Sequence, residues 1–339
     1  MNQDNESTVA AANISSSFSD LSPEIVLDAL ESVGIHGDGR LLALNSYENR
    51  VYQVWRDDAA PLVAKFYRPA RWTPAQIREE HDFVQAMVEQ ELPVVPAMTL
   101  ANNKTLHEYN GFQFAVFAKH GGRAPELEQA GTLEWLGRFI GRIHAIGAIA
   151  PYFYRPALDI AGFGEASRDY LLANDFIPPL LRTAYFSVLA QALDGVRRCY
   201  DRAGAIATIR LHGDCHCGNV LWTDAGPHFV DFDDSRTGPA IQDLWMLLSG
   251  DRADQIKQLA DLVAGYEDFQ EFQPRELYLV EGLRTLRLVH YAAWLARRWD
   301  DPAFPLAFPW FNTERYWQDR ILELREQVAL MDEPPLWQL

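Results

Sequence analysis

The stretch Leu211–Asp234, LHGDCHCGNVLWTDAGPHFVDFDD, decides how this chain folds. Asp214 stands five residues before Asn219, and a short apolar run Val220-Leu221-Trp222 follows. The chain then turns through Asp224-Ala225-Gly226-Pro227 into a second apolar run that ends at Asp231. The pattern predicts a polar loop, a hairpin and a carboxylate at the hairpin's exit. Asp, Asn and Gly are ordinary turn residues, so a purely structural hairpin is the competing reading. Against it, His212, Asp214, His216, Asn219, Asp231 and Asp233 crowd polar groups beside apolar strands, where unpaired burial is costly.

Phosphoryl transfer needs such a set: one carboxylate near the attacking hydroxyl, and oxygen ligands that hold Mg²⁺ against nucleotide phosphates. Asp214 is the candidate for the first role, and Asn219 and Asp231 for the second. Asp-x-x-x-x-Asn followed by a strand ending in Asp is the order of the protein-kinase catalytic set. His-Gly-Asp stands for His-Arg-Asp here, and Asp-Phe-Asp for Asp-Phe-Gly.

Working outward, 339 residues exceed what one core usually serves, so two lobes are expected. A net charge of −17 disfavours nucleic acid and anionic membranes as partners through the overall field. No apolar run is long enough to span a membrane, and MNQDNES lacks signal-peptide character, so a cytoplasmic protein is expected. Cys199, Cys215 and Cys217 are too few and too clustered for a disulfide framework. Cys215 and Cys217 beside His212 and His216 lack the second, separated ligand pair of a closed zinc site. Two cysteines flanking the candidate base leave oxidation sensitivity open.

Residues 1–20 are rich in Ser, Asn and Ala and are expected to be a disordered tail. Ser22 and Pro23 open a helix that Gly34 stops. Strands are expected from Leu41, over Val51–Trp55 and over Leu62–Tyr67, with Ser46 and Asn49 in a glycine-free loop able to present N–H groups to phosphates. Lys65, in Val-Ala-Lys on the third strand, matches the lysine that contacts nucleotide phosphates and pairs with a helix glutamate; a snorkelling edge-strand lysine is the alternative. The helix Pro74–Glu89 supplies that glutamate, and Glu80 is chosen over Glu79 because it borders the apolar stripe Phe83, Val84 and Met87.

Tyr109-Asn110-Gly111 signals a further hairpin, and Gly121-Gly122 after the strand Phe112–Ala118 a hinge. Beyond lie mostly helices. Gly137 and Gly141 flatten one of them, His144 is expected to be a buried hydrogen-bonding residue, and Asp243 either ties the catalytic loop's backbone or complements a helix end. A helix from Arg275 to Trp299 carries Arg284, Arg287, Tyr291, Trp294 and Arg298 on one face. These arginines either pair with neighbouring carboxylates, the commoner case, or receive an acidic partner.

The motifs LNSYENRVYQVW, VAKFYRPARWT, LGRFIGRIH, LHGDCHCGNVLW, FVDFDD and GPAIQDLWMLLSGD resemble those of the aminoglycoside-phosphotransferase and choline-kinase superfamily. Within it they more closely resemble those of bacterial serine/threonine protein kinases of stress response, over Leu21 to the C-terminus. The resemblance implies an α+β, bilobal, protein-kinase-like fold, with a nucleotide-binding N-lobe over 21–118 and a catalytic C-lobe over 119–339. It also implies ATP as donor with Mg²⁺ and, as partners, proteins bearing Ser or Thr, the enzyme itself among them; a monomer is expected. Asp214 becomes the proton acceptor, with Asn219 and Asp231 as Mg²⁺ ligands. Ser46 becomes a contact of the ATP loop and Lys65 the phosphate anchor. The missing glycine-rich loop and the Asp-Phe-Asp are superfamily features.

Two other readings keep their place. A small-molecule phosphotransferase acting on an amino sugar, choline or homoserine would use the same site, since a shared fold does not fix the acceptor. A pseudokinase or scaffold is opposed by the joint presence of Lys65, Asp214, Asn219 and Asp231.

Overall fold

The computed structural model describes residues 18–57, 59–100 and 103–336. They form two compact units. The smaller runs to Pro74 and resumes over Ala97–Lys119; the larger takes Ala75–Pro96 and His120–Leu339. Residues 75–96, which the division at 118 placed in the first lobe, therefore pack with the larger unit, because Phe83, Val84 and Met87 enter that unit's core.

In the smaller unit, α1 (Pro23–Glu31) starts where the Ser22 hydroxyl accepts the Ile25 N–H at 3.4 Å. Five antiparallel strands follow: β1 (Leu41–Ala43), β2 (Arg50–Arg56), β3 (Ala59–Phe66), β4 (His107–Tyr109) and β5 (Phe112–Ala118), in the order β1-β2-β3-β5-β4. The β4–β5 turn is made by Asn110 and Gly111, at φ 48° and 80°, the left-handed pair that a tight hairpin requires. Val26, Ala29 and Leu30 of α1 join Val54, Leu62, Phe66, Phe114 and Val116 in one core. Residues 1–17 of the expected disordered tail lie outside the described residues. Phe18 corrects the rest of that expectation: it is buried, stacked on Phe112 at 6.2 Å, with the Arg50 guanidinium 4.6 Å above its ring.

The larger unit opens with α2 (Pro74–Glu89) and continues through α3 (Thr132–Gly147), a π-helical turn over Ile160–Glu165, α4 (Ala166–Ala173) and α5 (Pro179–Ala203). The short strand β6 (Ile209–Arg210) leads into the central stretch. There β7 (Val220–Thr223) and β8 (Gly226–Phe229) pair in the predicted hairpin. β9 (Thr237–Gly238) pairs back on β6, and α6 (Ile241–Trp245) and α7 (Arg252–Tyr266) follow. The expected helix from Arg275 divides into a 3-10 turn over Pro274–Leu279 and α8 (Val280–Arg297). Phe304 of α9 (Ala303–Ala307), Phe308 and Phe311 bury the proline-interrupted tail before α10 (Glu314–Leu330). Gly137 and Gly141 do flatten α3: a Cβ there would stand 2.0 Å and 2.6 Å from the carbonyl oxygens of Leu262 and Tyr266 on α7. Among the described residues no helix is long and apolar enough to cross a membrane.

Candidate active site

The loop between β6 and β7 is held by one carboxylate. Asp243, fully buried on α6, accepts the His212 N–H on Oδ2 at 2.8 Å and the Gly213 N–H on Oδ1 at 2.9 Å. A third donor, His144 Nε2, reaches Oδ2 at 3.0 Å, and the other ring nitrogen of His144 meets the Tyr266 hydroxyl at 3.0 Å. A carboxylate only accepts, so the His144 proton sits on Nε2. Asp243 therefore ties the backbone, and His144 is the buried hydrogen-bonding residue expected of it. Gly213 is obligatory here: its φ is 86°, and a Cβ would lie 2.2 Å from the Asp234 carbonyl oxygen.

The segment after the hairpin is sewn to the same loop. Ser235 Oγ donates to the Leu211 carbonyl at 2.6 Å and receives the Tyr152 hydroxyl at 2.6 Å. His212 Nε2 donates to the Val230 carbonyl at 3.0 Å, and its ring lies 4.4 Å from that of buried Phe232. These contacts bring Asp214, Asn219 and Asp231 onto one small scaffold of the larger unit.

Asp214 Oδ1 accepts from Arg287 Nη1 of α8 at 2.7 Å, and Oδ2 lies 3.4 Å from His216 Nε2. His216 Nδ1 accepts the Gly218 N–H at 2.9 Å, which leaves the proton on Nε2, facing Asp214. Burial works to raise the Asp214 carboxyl, but the His216 hydrogen bond and the Arg287 guanidinium outweigh it and hold the group below its ordinary value; Asp234 acts against them. The result is a carboxylate that stays ionised, as a proton acceptor must be. Cys215 and Cys217 flank it, yet burial raises both thiols, Cys215 well above its ordinary value. A raised pKa is the reverse of what oxidation sensitivity requires.

Asn219 Nδ2 donates to the Asp214 carbonyl at 2.9 Å, which leaves its Oδ1, an acceptor of no hydrogen bond among the described residues, available. The Val230 N–H bonds the Asn219 carbonyl at 3.0 Å, so Asp231 stands one residue beyond on the adjoining strand end. Asp231 is exposed and left-handed at φ 61°, a conformation that Asp tolerates better than most residues. One amide oxygen and one carboxylate are a hard donor set that fits a divalent cation whose remaining ligands are phosphate and water oxygens. Among the described residues no group of three or more His, Cys, Asp or Glu side chains could hold a metal without such help.

The two glutamates of α2 diverge. Glu79 accepts the backbone N–H groups of Phe153, Tyr154 and Arg155 at 2.6, 2.9 and 2.8 Å, whereas Glu80 is buried and pairs with Arg155 Nη2 at 2.8 Å. Arg155, which the sequence reading passed over, also donates through Nη1 to the carbonyls of Asp233 and Ser235 at 2.9 and 2.8 Å. It thus joins α2 to the segment that carries Asp231. The one hint was a lone arginine in an aromatic run, Tyr152-Phe153-Tyr154-Arg155. In the smaller unit Lys65 is buried on β3, with Nζ 5.3 Å above the Tyr67 ring. Asn49 is buried too, and its Oδ1 accepts the Arg68 N–H at 3.1 Å, so its side chain shapes the loop in which half-buried Ser46 lies.

A five-stranded unit, a helical unit, and an Asp-x-x-x-x-Asn loop stapled to an Asp-bearing hairpin exit define a kinase-like phosphotransferase. The chain belongs to the phosphotransferase enzyme family, whose model matches residues 40–279. It is an enzyme that transfers phosphate to a hydroxyl acceptor. It is 46% identical over 319 residues, 94% of this chain and 96% of the relative, to stress response kinase A of Salmonella choleraesuis (strain SC-B67). The same identity and coverage hold for the serine/threonine protein kinase RdoA of Salmonella typhimurium (strain LT2). Among solved structures, an amicoumacin kinase in complex with AMP-PNP, Ca²⁺ and Ami superposes with a TM-score of 0.71 at 18% identity, covering 92% of this chain and 94% of its own. That likeness carries the fold.

Proposed function

We propose that the protein is an ATP- and Mg²⁺-dependent serine/threonine protein kinase that also phosphorylates itself and acts in a bacterial stress response. The observation that carries this reading is similarity along almost the whole chain to kinases so named, joined to a carboxylate held ionised on a rigid loop. Asp214 orients the acceptor hydroxyl and takes its proton as the γ-phosphoryl group passes from ATP to the oxygen. His216 and Arg287 keep that carboxylate charged, and Asp243 fixes the backbone beneath it. Asn219 Oδ1 and the Asp231 carboxylate are the residues that would hold the divalent cation, whose charge would offset that of the donor phosphates. Lys65 anchors phosphate in this reading, and the loop of Ser46 and Asn49 offers further contacts to the nucleotide. Glu80 is the buried helix carboxylate of the set.

The test is incubation with labelled ATP and Mg²⁺, comparing the parent with Asp214→Ala and Asp231→Ala, on a generic protein acceptor and on a panel of amino sugars and amino alcohols. Label is expected on protein from the parent alone. Asp214→Ala should lose transfer by about 10³-fold or more while still binding nucleotide, whereas Asp231→Ala should also weaken nucleotide binding in the presence of Mg²⁺. Equal turnover by Asp214→Ala would overturn the assignment of the base. Label on a small alcohol alone would move the enzyme to the small-molecule class.

A further inference from the structure

Both oxygens of Asp214 are engaged. Oδ2 faces His216, whose ring is pinned through Nδ1 by the Gly218 N–H. Oδ1 lies under Arg287 Nη1 at 2.7 Å, and the Arg287 side chain is 45% exposed. Among the described residues Asp214 is the one hydrogen-bonding partner of that guanidinium. If Asp214 takes the proton of the acceptor hydroxyl, which rests on the function proposed above, the hydroxyl must approach a carboxylate that Arg287 caps. Of the two partners Arg287 is the one free to swing, because it is long, half-exposed and tethered by this pair alone.

The surroundings say what would draw it away. One turn along α8, half-buried His290 lies near Arg236, Arg297, Arg298 and Asp234. Burial first, then Arg236, pushes its pKa down to about 3, with Arg297 and Arg298 adding to the effect and Asp234 opposing it. Asp234 is matched by Arg236 at 3.1 Å. Arg297 forms no ion pair among the described residues; it donates to the Ala166 carbonyl at 3.1 Å and lies 4.7 Å above the Tyr170 ring. In a chain of net charge −17, α8 thus carries Arg287, whose one ion-pair partner among the described residues is the candidate base, and Arg297, which has none. A cationic sugar or amine would be repelled at this place, and an anionic acceptor attracted. The outer end of the stripe fits the same division of labour, since Arg284 is already neutralised by Glu281 at 2.9 Å.

We infer that Arg287 selects the acceptor: it caps Asp214 in the free enzyme and moves to a carboxylate on the incoming peptide, so that Ser or Thr flanked by Asp or Glu is the preferred substrate. An extended peptide advances about 3.3 Å per residue, so the carboxylate belongs within two positions of the hydroxyl. A bidentate carboxylate–guanidinium pair replaces the monodentate one with Asp214, and Oδ1 is released to the hydroxyl.

The experiment compares kcat/KM on three peptides that differ at the two positions flanking one Ser: Asp, its neutral isostere Asn, or Lys. For the parent the Asp peptide should exceed the Asn peptide by about tenfold, the size of one charge-assisted hydrogen bond, with the Lys peptide last. In Arg287→Gln the Asp and Asn peptides should differ by less than about twofold. In Arg287→Glu the order should invert, Lys above Asp, and that rescue would not follow from mere damage to the fold. An unchanged Asp/Asn ratio in Arg287→Gln, or a parent indifferent to flanking charge while still labelling peptides, overturns this inference and leaves the kinase reading intact. A parent that labels amino sugars and no peptide instead overturns the protein-kinase reading on which it rests.

Discussion

Asp243 has no exposure to solvent, yet it serves two backbone N–H groups and the His144 ring at once. A buried carboxylate is tolerable only when donors surround it, and the arrangement is then sensitive to losing its centre. Asp243→Ala strands the His212 and Gly213 N–H groups and the His144 ring, at about 3–5 kcal/mol of stability. Denaturant unfolding would measure that, and transfer should fall with it because Asp214 loses the floor it stands on. A loss under about 1 kcal/mol would mean that solvent or other groups replace the carboxylate. Asp214, Asn219 and Asp231 could be picked out as candidates from the sequence because their spacing lies within one loop and one hairpin, and the structure holds that loop and the hairpin exit on one scaffold. Asp243 was half legible, since its partner His212 is 31 residues away and a helix-end role explains an acid equally well. Arg155 and the Arg287–Asp214 pair were not legible. They join residues 75 and 73 positions apart, and side-chain reach across a fold leaves no periodic trace.

At the scale of elements, periodicity worked where one face meets one core. The helix opened by Ser22 and Pro23 formed as α1, and the hairpin turns fell at Asn110-Gly111 and before Gly226. It failed where a helix changes pitch: residues after Pro274 share the apolar spacing of α8 but form a tighter turn that carries Glu276 inward to the Ile241 N–H at 2.8 Å. It also failed at Phe18, because a single aromatic in a polar tail gives no repeat to read. The closest helix contact was announced by small residues. On α7, Gly265 faces α3 so tightly that a Cβ would lie 1.9 Å from the Glu134 carbonyl oxygen, which is backbone and cannot step aside. Gly265→Ala should therefore cost about 3 kcal/mol or more by forcing α3 and α7 apart. Gly121→Ala, with nothing within 4 Å of the added methyl and no left-handed φ, should cost well under 1 kcal/mol. Urea midpoints of the two variants test the contrast, and equal midpoints would show that the α3–α7 contact yields by relaxation.

The whole molecule is strongly acidic, with 47 Asp and Glu against 30 Lys and Arg, and carboxyls held below their ordinary value, such as Asp38 beside Arg40 and Asp214 beside His216 and Arg287, lose their contribution to folding stability as acid protonates them. Glu276 works in the opposite sense. Burial pushes its pKa from the ordinary 4.5 up to about 7, although the Ile241 and Ala240 N–H groups pull it down. The folded protein thus keeps a proton that the unfolded chain has released. The stability this contributes is complete below about pH 4.5 and is lost as pH rises through about 7, flattening above. A shift of this size corresponds to at most about 3 kcal/mol. The raw pH profile will not isolate it, because carboxyls shifted down, such as Asp38 and Asp214, and carboxyls shifted up, such as Glu281 and Glu323, titrate in the same profile. The difference between the parent and Glu276→Gln cancels them, since only residue 276 changes. Unfolding free energies of both proteins from pH 5 to pH 8 should therefore diverge steadily: the parent loses ground to the glutamine variant up to about pH 7, and the gap is constant beyond. Because Glu276 accepts at the start of α6, the helix that carries Asp243, the gap should also appear as faster exchange of the His212 and Gly213 amides at pH 8 in the parent than in the variant. A pH-independent gap would mean that Glu276 is ionised throughout, held by the two N–H groups against its burial.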